Sequence, residues 1–356
     1  MAGYEQKLFN LLETVARQGA SDLHLSAGRA PTLRLDGDLV PLKDAKILTA
    51  DDTKEIASVM LNEDQQKTLQ ERKSVDISYA YKNIARFRVN IYYQFETISI
   101  ALRFIPAEIR TIEDLSLPEV VHRFAKYQQG LVLVTGPAGH GKSTTLAALV
   151  DEVNRSRNEH IITIEDPIEY IFEQERSIID QREVGRDTPS FSTALRDAFR
   201  QDPDIIMVGE MRDAETISTA ITAAETGHLI LATLHTNNAA QTIDRIIDTF
   251  PADQQSQTRA QLALTLVGVV SQRLLPKIDG GRIPATEIMF ANSAIRNLIR
   301  EKKTHEVSLV IETSSDEGMV SLNRSLASRV KSGDISMEIA ENYSLNPNEL
   351  KMLVGK

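Results

Sequence analysis

Eight consecutive residues, Gly136-Pro137-Ala138-Gly139-His140-Gly141-Lys142-Ser143, follow the spacing G-x-x-x-x-G-K-[ST]. That spacing suits phosphate binding. The glycines let backbone N–H groups turn inward around phosphate oxygens, and a helix opening at Thr144 adds the positive end of its dipole. In such a loop Lys142 bridges β- and γ-phosphate oxygens and Ser143 holds Mg2+. The competing reading is a glycine-rich turn between a strand and a helix, with no ligand. The apolar run Leu131–Thr135 before the loop and the helical pattern after it are what the nucleotide chemistry requires.

Phosphoryl transfer also needs a carboxylate to orient the attacking water. Glu165-Asp166-Pro167-Ile168-Glu169 follows the apolar run Ile161–Ile164, and Gly209-Glu210 follows Ile205–Val208. Parallel α/β folds place their ligands at such strand ends. In the second cluster Gly209 stands where a Mg2+-coordinating Asp is usual, so Glu210 serves the metal through water or polarises the nucleophile. A lone acid at a strand end is as readily a solvated loop; two clusters downstream of a phosphate loop favour catalysis. His235 ends the run Leu229–Leu234, and Gly227-His228 leads into it. A histidine there is either a satisfied structural residue or a sensor bonded to a γ-phosphate or to the catalytic glutamate. Arg86 and Arg88 alternate on one strand and so share a face, with Arg103 on the next strand. These arginines are either surface ion-pair partners or charges offered to a γ-phosphate.

The elements that must position these groups fall into two grammars. Leu8, Leu11, Leu12 and Val15 repeat at helical spacing up to Gly19. Alternating strands are expected at Asp22–Ser26, Thr32–Leu35 and Asp38–Pro41, with Asp36-Gly37-Asp38 as a hairpin turn. Helices follow at about 51–60 and 63–71, then strands at Val75–Tyr81, Ala85–Tyr93 and Ile98–Phe104, with Lys82-Asn83 as a turn. Strands succeeding one another without helices between them give an α+β domain over residues 1–105. Residues 106–119, bracketed by Pro106 and Pro118, read as a linker with at most a helical turn. Residues 120–356 read as a second domain. There, buried runs at Leu131–Thr135, His160–Ile164, Asp204–Val208 and Leu229–Leu234 alternate with helices at Thr144–Asn154, Ala214–Glu225, Ala239–Thr249 and Asp253–Ser271. This is the pattern of a mostly parallel sheet covered on both faces. A hairpin is expected at Lys277–Met289, then a helical part and a polar tail.

Composition narrows the function classes. Forty Lys+Arg against fifty Asp+Glu leave a net charge of −10, which argues against nucleic acid and anionic membranes as partners. With no cysteine, disulfides, cysteine–zinc sites and thiol nucleophiles are excluded, and the seven histidines show no metal-site spacing. The N-terminus shows no signal pattern and no apolar run reaches the ~18–20 residues of a membrane span, so a cytoplasmic location is expected.

Taken together, Gly136–Thr144, Thr163–Tyr170, Gly209-Glu210-Met211-Arg212-Asp213 and the stretch from Thr226-Gly227-His228 to Leu234-His235-Thr236-Asn237 resemble the secretion/type IV pilus ATPase superfamily. They correspond in order to its Walker A, Asp box, atypical Walker B and His box. Ser21-Asp22-Leu23-His24-Leu25 resembles the opening of that family's PAS-like N-terminal domain. Ala294-Ile295-Arg296-Asn297-Leu298-Ile299-Arg300-Glu301 resembles the signature of its twitching-motility, pilus-retraction branch (the PilT family). The resemblance implies an α/β RecA-like P-loop ATPase domain behind the PAS-like domain. It implies a homo-hexamer that hydrolyses ATP with Mg2+, in which one subunit's N-terminal domain packs on its neighbour's ATPase domain. It also implies an inner-membrane platform protein as partner at the cytoplasmic face of the pilus base, a paralogous retraction ATPase as a further partner, and membrane association through partners alone. Carried over position by position, Gly136, Pro137, Ala138, Gly139, His140, Gly141, Lys142, Ser143 and Thr144 bind nucleotide, and Ser143 and Glu210 serve the metal. Glu165, Asp166, Glu169, Glu210, His228 and His235 are catalytic candidates, and Arg86, Arg88 and Arg103 approach the phosphates.

Ala138 and His140 depart from the Thr and Ser common in the family's loop, at places that contribute mainly backbone. Three rivals are weighed beside retraction. An assembly or secretion ATPase would usually add a larger N-terminal region and a four-cysteine zinc motif, which this chain lacks. A RecA-type nucleic-acid translocase would want a basic, aromatic strand-binding tract. A nucleotide-gated regulator, or accessory retraction ATPase, would bind ATP with little turnover.

Overall fold

The structure, a computed structural model, describes residues 2–355 other than 36, 44, 82–84 and 107. The expected turn at Lys82-Asn83 lies outside the described residues, as does Asp36 of the other. The chain groups into two units, each with its own sheet.

The first unit runs to Glu108 and takes in Pro167–Ile171. Helix α1 (Ala2–Gln18) leads to β1 (Asp22–Ser26), β2 (Thr32–Leu35) and β3 (Asp38–Pro41). Helices α2 (Ala50–Met60) and α3 (Glu63–Arg72) follow, then β4 (Ser74–Tyr81), β5 (Ala85–Gln94) and β6 (Thr97–Pro106). The apolar spacing of α1 has its cause in the core: Leu8, Leu12 and Val15 are fully buried. The strands pair antiparallel in the order β3-β2-β1-β6-β5-β4. Phe87, Val89 and Ile91 of β5 face the helices in one core, whereas Arg86, Arg88 and Asn90 alternate to the other face. Register places Arg34, Asp22, Arg103, Arg88 and Ser78 opposite one another in a row across five strands of that second face.

The second unit comprises Ile109–Asp166 and Phe172–Lys356. Its strands are β7 (Gly130–Thr135), β8 (His160–Glu165), β9 (Ile178–Glu183), β10 (Ile205–Val208), β11 (Leu229–Leu234), β12 (Leu266–Pro276) and β13 (Arg282–Phe290). They lie in the order β13-β12-β7-β11-β10-β8-β9, parallel except for β13. Strands β7, β10 and β11 are buried along their whole length, which is why they read as unbroken apolar runs. Helices α4 (Lys142–Ser156), α5 (Phe191–Ala198), α6 (Ala214–Glu225), α7 (Ala239–Asp248) and α8 (Gln255–Thr265) alternate with them. A helical part follows: α9 (Ser293–Arg300), α10 (Val307–Thr313), α11 (Leu322–Lys331), α12 (Met337–Tyr343) and α13 (Pro347–Val354). The chain is therefore α/β with one antiparallel and one mixed sheet.

Four expectations need correction. The helix expected to reach Ser271 ends at Thr265, and Leu266–Ser271 open β12 instead. The run Leu266-Val267-Gly268-Val269-Val270 carries three β-branched valines and fills the slot between β7 and β13, where burial overrides helical spacing. The hairpin is real, but its first arm begins at Leu266 rather than Lys277. The polar tail forms α13, which buries Leu350. The expected linker packs into the second unit through Ile112 and Leu117, both nearly inaccessible, and the unit boundary falls after Glu108.

Candidate active site

The phosphate loop leaves β7 at Thr135 and enters α4 at Lys142, on the edge where the other parallel strands also end. Gly136 has φ 147°, and a Cβ there would come within 2.4 Å of the Gln272 carbonyl oxygen, so that position accepts nothing larger than glycine. Ala138 and Gly139 form the exposed crown of the loop. Gly141 is the N-cap of α4 and offers its first amides no side-chain acceptor. Pro137 and His140 complete the turn, and Ser143, an exposed residue, and Thr144 lie in the first turn of the helix.

Lys142 is buried and folded into the loop. Its Nζ donates to the carbonyl oxygens of Gly136 and Pro137, both at 2.9 Å, and lies 3.3 Å from His235 Nδ1. The other ring nitrogen of His235, Nε2, is 3.2 Å from Glu210 Oε1. An ammonium can only donate, so Nδ1 accepts and the imidazole proton sits on Nε2, aimed at the carboxylate. Lys142 at the start of α4, His235 after β11 and Glu210 after β10 thus form one hydrogen-bonded line. Arg212 adds a 2.8 Å bond to the other Glu210 oxygen. Burial alone would raise the Glu210 carboxyl, but Arg212 and then His235 outweigh it and hold it below the ordinary carboxylate range. Beside Glu210, a Cβ on Gly209 would lie 3.2 Å from the Ile164 carbonyl oxygen, which favours glycine where an Asp is usual.

The remaining candidates are placed differently. Glu165 ends β8, buried, and its Oε1 accepts from Thr163 Oγ1 (2.7 Å) and Gln181 Nε2 (3.2 Å), so it is held by structural donors. Asp166 is exposed and contributes to the field at Arg212. Glu169 lies in Pro167–Ile171, which groups with the first unit, where the Ser78 hydroxyl reaches the neighbouring Ile168 carbonyl at 3.4 Å. His228 precedes β11 whereas His235 follows it. The six-residue strand separates them by roughly 20 Å, and His228 instead meets Ala223 O (3.0 Å) at the end of α6. In the first unit Arg103 pairs with Asp22 at 3.0 Å, and Arg86 donates to Ser78 Oγ at 2.7 Å. Arg88, opposite Arg103, is exposed and has no ion-pair partner among the described residues.

Sequence reasoning missed four residues that hold this site. Gln272 donates from Nε2 to His140 O (2.9 Å) and accepts from Thr145 Oγ1 (2.7 Å), bridging the loop to its helix. Ser271 bonds Thr135 at 2.9 Å, and Arg273 reaches Asn237 O at 3.4 Å in the loop after His235. Glu287, nearly inaccessible on β13, accepts from the first amide of α7, Ala239 N (2.8 Å), and burial raises its carboxyl despite that bond. Their signal is tertiary, since all four sit on β12 and β13.

The loop fits a nucleotide phosphate chain by its glycine cradle and buried lysine. The hard oxygens of Ser143 and Glu210 fit Mg2+. The type II/IV secretion system protein family matches residues 4–305. The type IV pilus retractation ATPase PilT of Pseudomonas aeruginosa is 47% identical over 342 residues, spanning 95% of this chain and 98% of that protein. A twitching motility protein of Neisseria gonorrhoeae is 42% identical over 344 residues, spanning 96% and 92%. The crystal structure of the pilus retraction motor PilT with bound ADP matches with a TM-score of 0.89 at 46% identity, covering 97% of this chain and 98% of that one.

Proposed function

Because the chain belongs to the type II/IV secretion system protein family, in its PilT branch, we propose that it is a motor that hydrolyses ATP to power type IV pilus retraction. It is an ATPase of that family. The observation that carries the reading is the line Lys142–His235–Glu210, which ties the phosphate-binding cation to the carboxylate best placed to handle water.

In this reading the first unit is the PAS-like domain and the second the RecA-like motor domain. Phosphate oxygens compete with the Gly136 and Pro137 carbonyls for Lys142 Nζ. Whatever moves Nζ is felt at His235 Nδ1 and, through the Nε2 proton, at Glu210. Glu210, held ionised by Arg212 and His235, orients the attacking water and accepts its proton. Mg2+, held by Ser143 with Glu210 in support, would neutralise charge on the phosphate oxygens. Glu165 keeps the end of β8 in place, with Asp166 and Glu169 in reserve for metal or water. Arg88 is the arginine best able to act on another subunit's phosphates, since Arg86 and Arg103 are engaged within their own unit. That role requires a ring of subunits, which we take to be a hexamer, working on an inner-membrane platform protein at the cytoplasmic face of the pilus base. Among the described residues no helix is long and apolar enough to cross a membrane.

Two measurements test the reading. Lys142→Ala abolishes ATP turnover; retained turnover would remove the phosphate loop from the mechanism. Expression in a piliated strain lacking its retraction motor restores twitching and reduces surface pili. Increased piliation would assign an assembly motor instead, and rescue that depends on a second retraction ATPase would assign an accessory one.

A further inference from the structure

The parallel pairing of β7 with β12 ends at Thr135–Ser271, so the residues of β12 beyond Ser271 have no strand on that side. On the other side Leu274 stands opposite Pro284 of β13. The Leu274 amide would be left without a strand acceptor, yet it donates to His140 Nδ1 at 2.9 Å. A backbone N–H can only donate, so Nδ1 is unprotonated and the ring proton is on Nε2. The Gln272 amide meanwhile holds the His140 carbonyl. One residue of the loop is therefore fastened to β12 by both its backbone and its side chain. The groups that bear on the ring are all cations: Arg273 from β12, Lys142 from α4 and Arg282 from β13, whose Nη1 also reaches Gly139 O at 3.4 Å. Burial first, and then these charges, hold the imidazole below its ordinary range, which keeps Nδ1 an acceptor.

We propose that His140 is a positioning residue of the phosphate loop: by capping the Leu274 amide it locks the loop onto β12 and sets the affinity for nucleotide. The side chain closes a gap left by the sheet itself, where β7 turns away into the loop. A serine here is too short to place an acceptor where Nδ1 stands. This inference rests on the nucleotide reading of the loop.

The test is titration of a fluorescent ADP analogue into the full-length wild type, His140→Ala, His140→Asn and Lys142→Ala. Loss of one sequestered hydrogen bond weakens binding about tenfold in His140→Ala. Asn places Oδ1 two bonds from Cβ, as Nδ1 is, and restores affinity to within about threefold. Hydrogen exchange at the Leu274 amide rises in the Ala variant and not in the Asn variant. Should His140→Ala bind like wild type while Lys142→Ala does not, this inference falls and the loop reading stands. Failure of Asn to rescue would assign His140 to packing and overturn the proposal, and absence of binding by wild type would overturn both. If the Ala variant does not fold, exchange at Leu274 in the wild type decides. Protection lost as pH falls below the ordinary imidazole range supports the bond, and protection indifferent to that change refutes it.

Discussion

Replacing Arg296 with Met should unlatch the junction where α8 becomes β12. The guanidinium of Arg296 donates to the carbonyls of Ala263 (2.8 Å), Leu264 (2.6 Å), Leu266 (3.2 Å) and Ala291 (2.8 Å). Ala263 and Leu264 lie in the last turn of α8, whose carbonyls lose their helical partners when the chain turns into a strand. A hydrogen bond from a charged donor contributes about 1.5–3 kcal/mol when sequestered. This side chain is half-buried and water replaces part of what is lost, so the four bonds together stabilise by about 2–3 kcal/mol. Met retains much of the apolar stem, which confines the loss to the polar fork. A unit of this size loses about 2–4 °C per kcal/mol, so Tm should fall by about 5–10 °C. Calorimetry of the full chain with and without ADP identifies the relevant transition as the one that ADP raises. Arg296→Lys should recover less than half of the loss, because one ammonium cannot reach four carbonyls in a fixed fork. A shift under about 2 °C in the Met variant would refute the argument. A Lys variant as stable as wild type would refute the geometric part of it. Lost motility at unchanged stability would move Arg296 into the working contacts of the motor.

Three further outcomes are expected. Glu210→Gln keeps nucleotide affinity but slows single-turnover hydrolysis by about a hundredfold or more, and an unchanged rate would move catalysis elsewhere. Glu287→Gln retains an acceptor for the Ala239 amide and removes a charge that burial opposes, so urea unfolding at neutral pH changes by less than about 1 kcal/mol. Because the Glu287 carboxyl is raised in the fold, its proton-bound form is favoured there. Wild-type stability from this group is greatest at low pH and declines as pH rises through the raised value, and the Gln variant should lack that decline. Asp52 is held at about 2 by its bond to Lys7 and then by the Thr49 amide. Asp52→Asn should cost about 1 kcal/mol at neutral pH after allowing for solvent screening. In wild type that contribution is present above the ordinary carboxylate value and is lost as pH falls through about 2; an acid titration of the first unit's stability checks it.

Sequence showed most plainly the features with a local cause. The phosphate loop is dictated by its own eight residues, and α1 by an apolar stripe that needs any core at all. Strand β1 was legible because one face is wet and alternation survives. Strand β12 was not, since a strand buried on both faces loses its period of two and Leu262, Leu266 and Val270 also fit a helix. The acidic edge strand β9 carries too little apolar signal to stand out. At the site, Lys142 was nameable from the loop spacing, and Glu210 and His235 from strand-end positions. His228, equally well motivated by its motif, stands at the other end of the same strand. Gln272, Arg273 and Glu287 matter through which loop each side chain meets, and register of that kind has no trace in local spacing.

That register has a consequence for mechanical precision. Ser271, Gln272, Arg273 and Leu274 are consecutive, and they grip in turn the start of the phosphate loop, its shoulder, the loop after His235, and His140. Lys142 and His235 are 93 residues apart, yet both are referred to one interior strand. Anchoring both loops to one strand couples their displacements, which favours keeping the 3.3 Å spacing between their side chains. A single inserted residue ahead of Ser271 would shift all four grips by one place and turn each side chain to the opposite face. Strand β12 is accordingly intolerant of a change in length at this point.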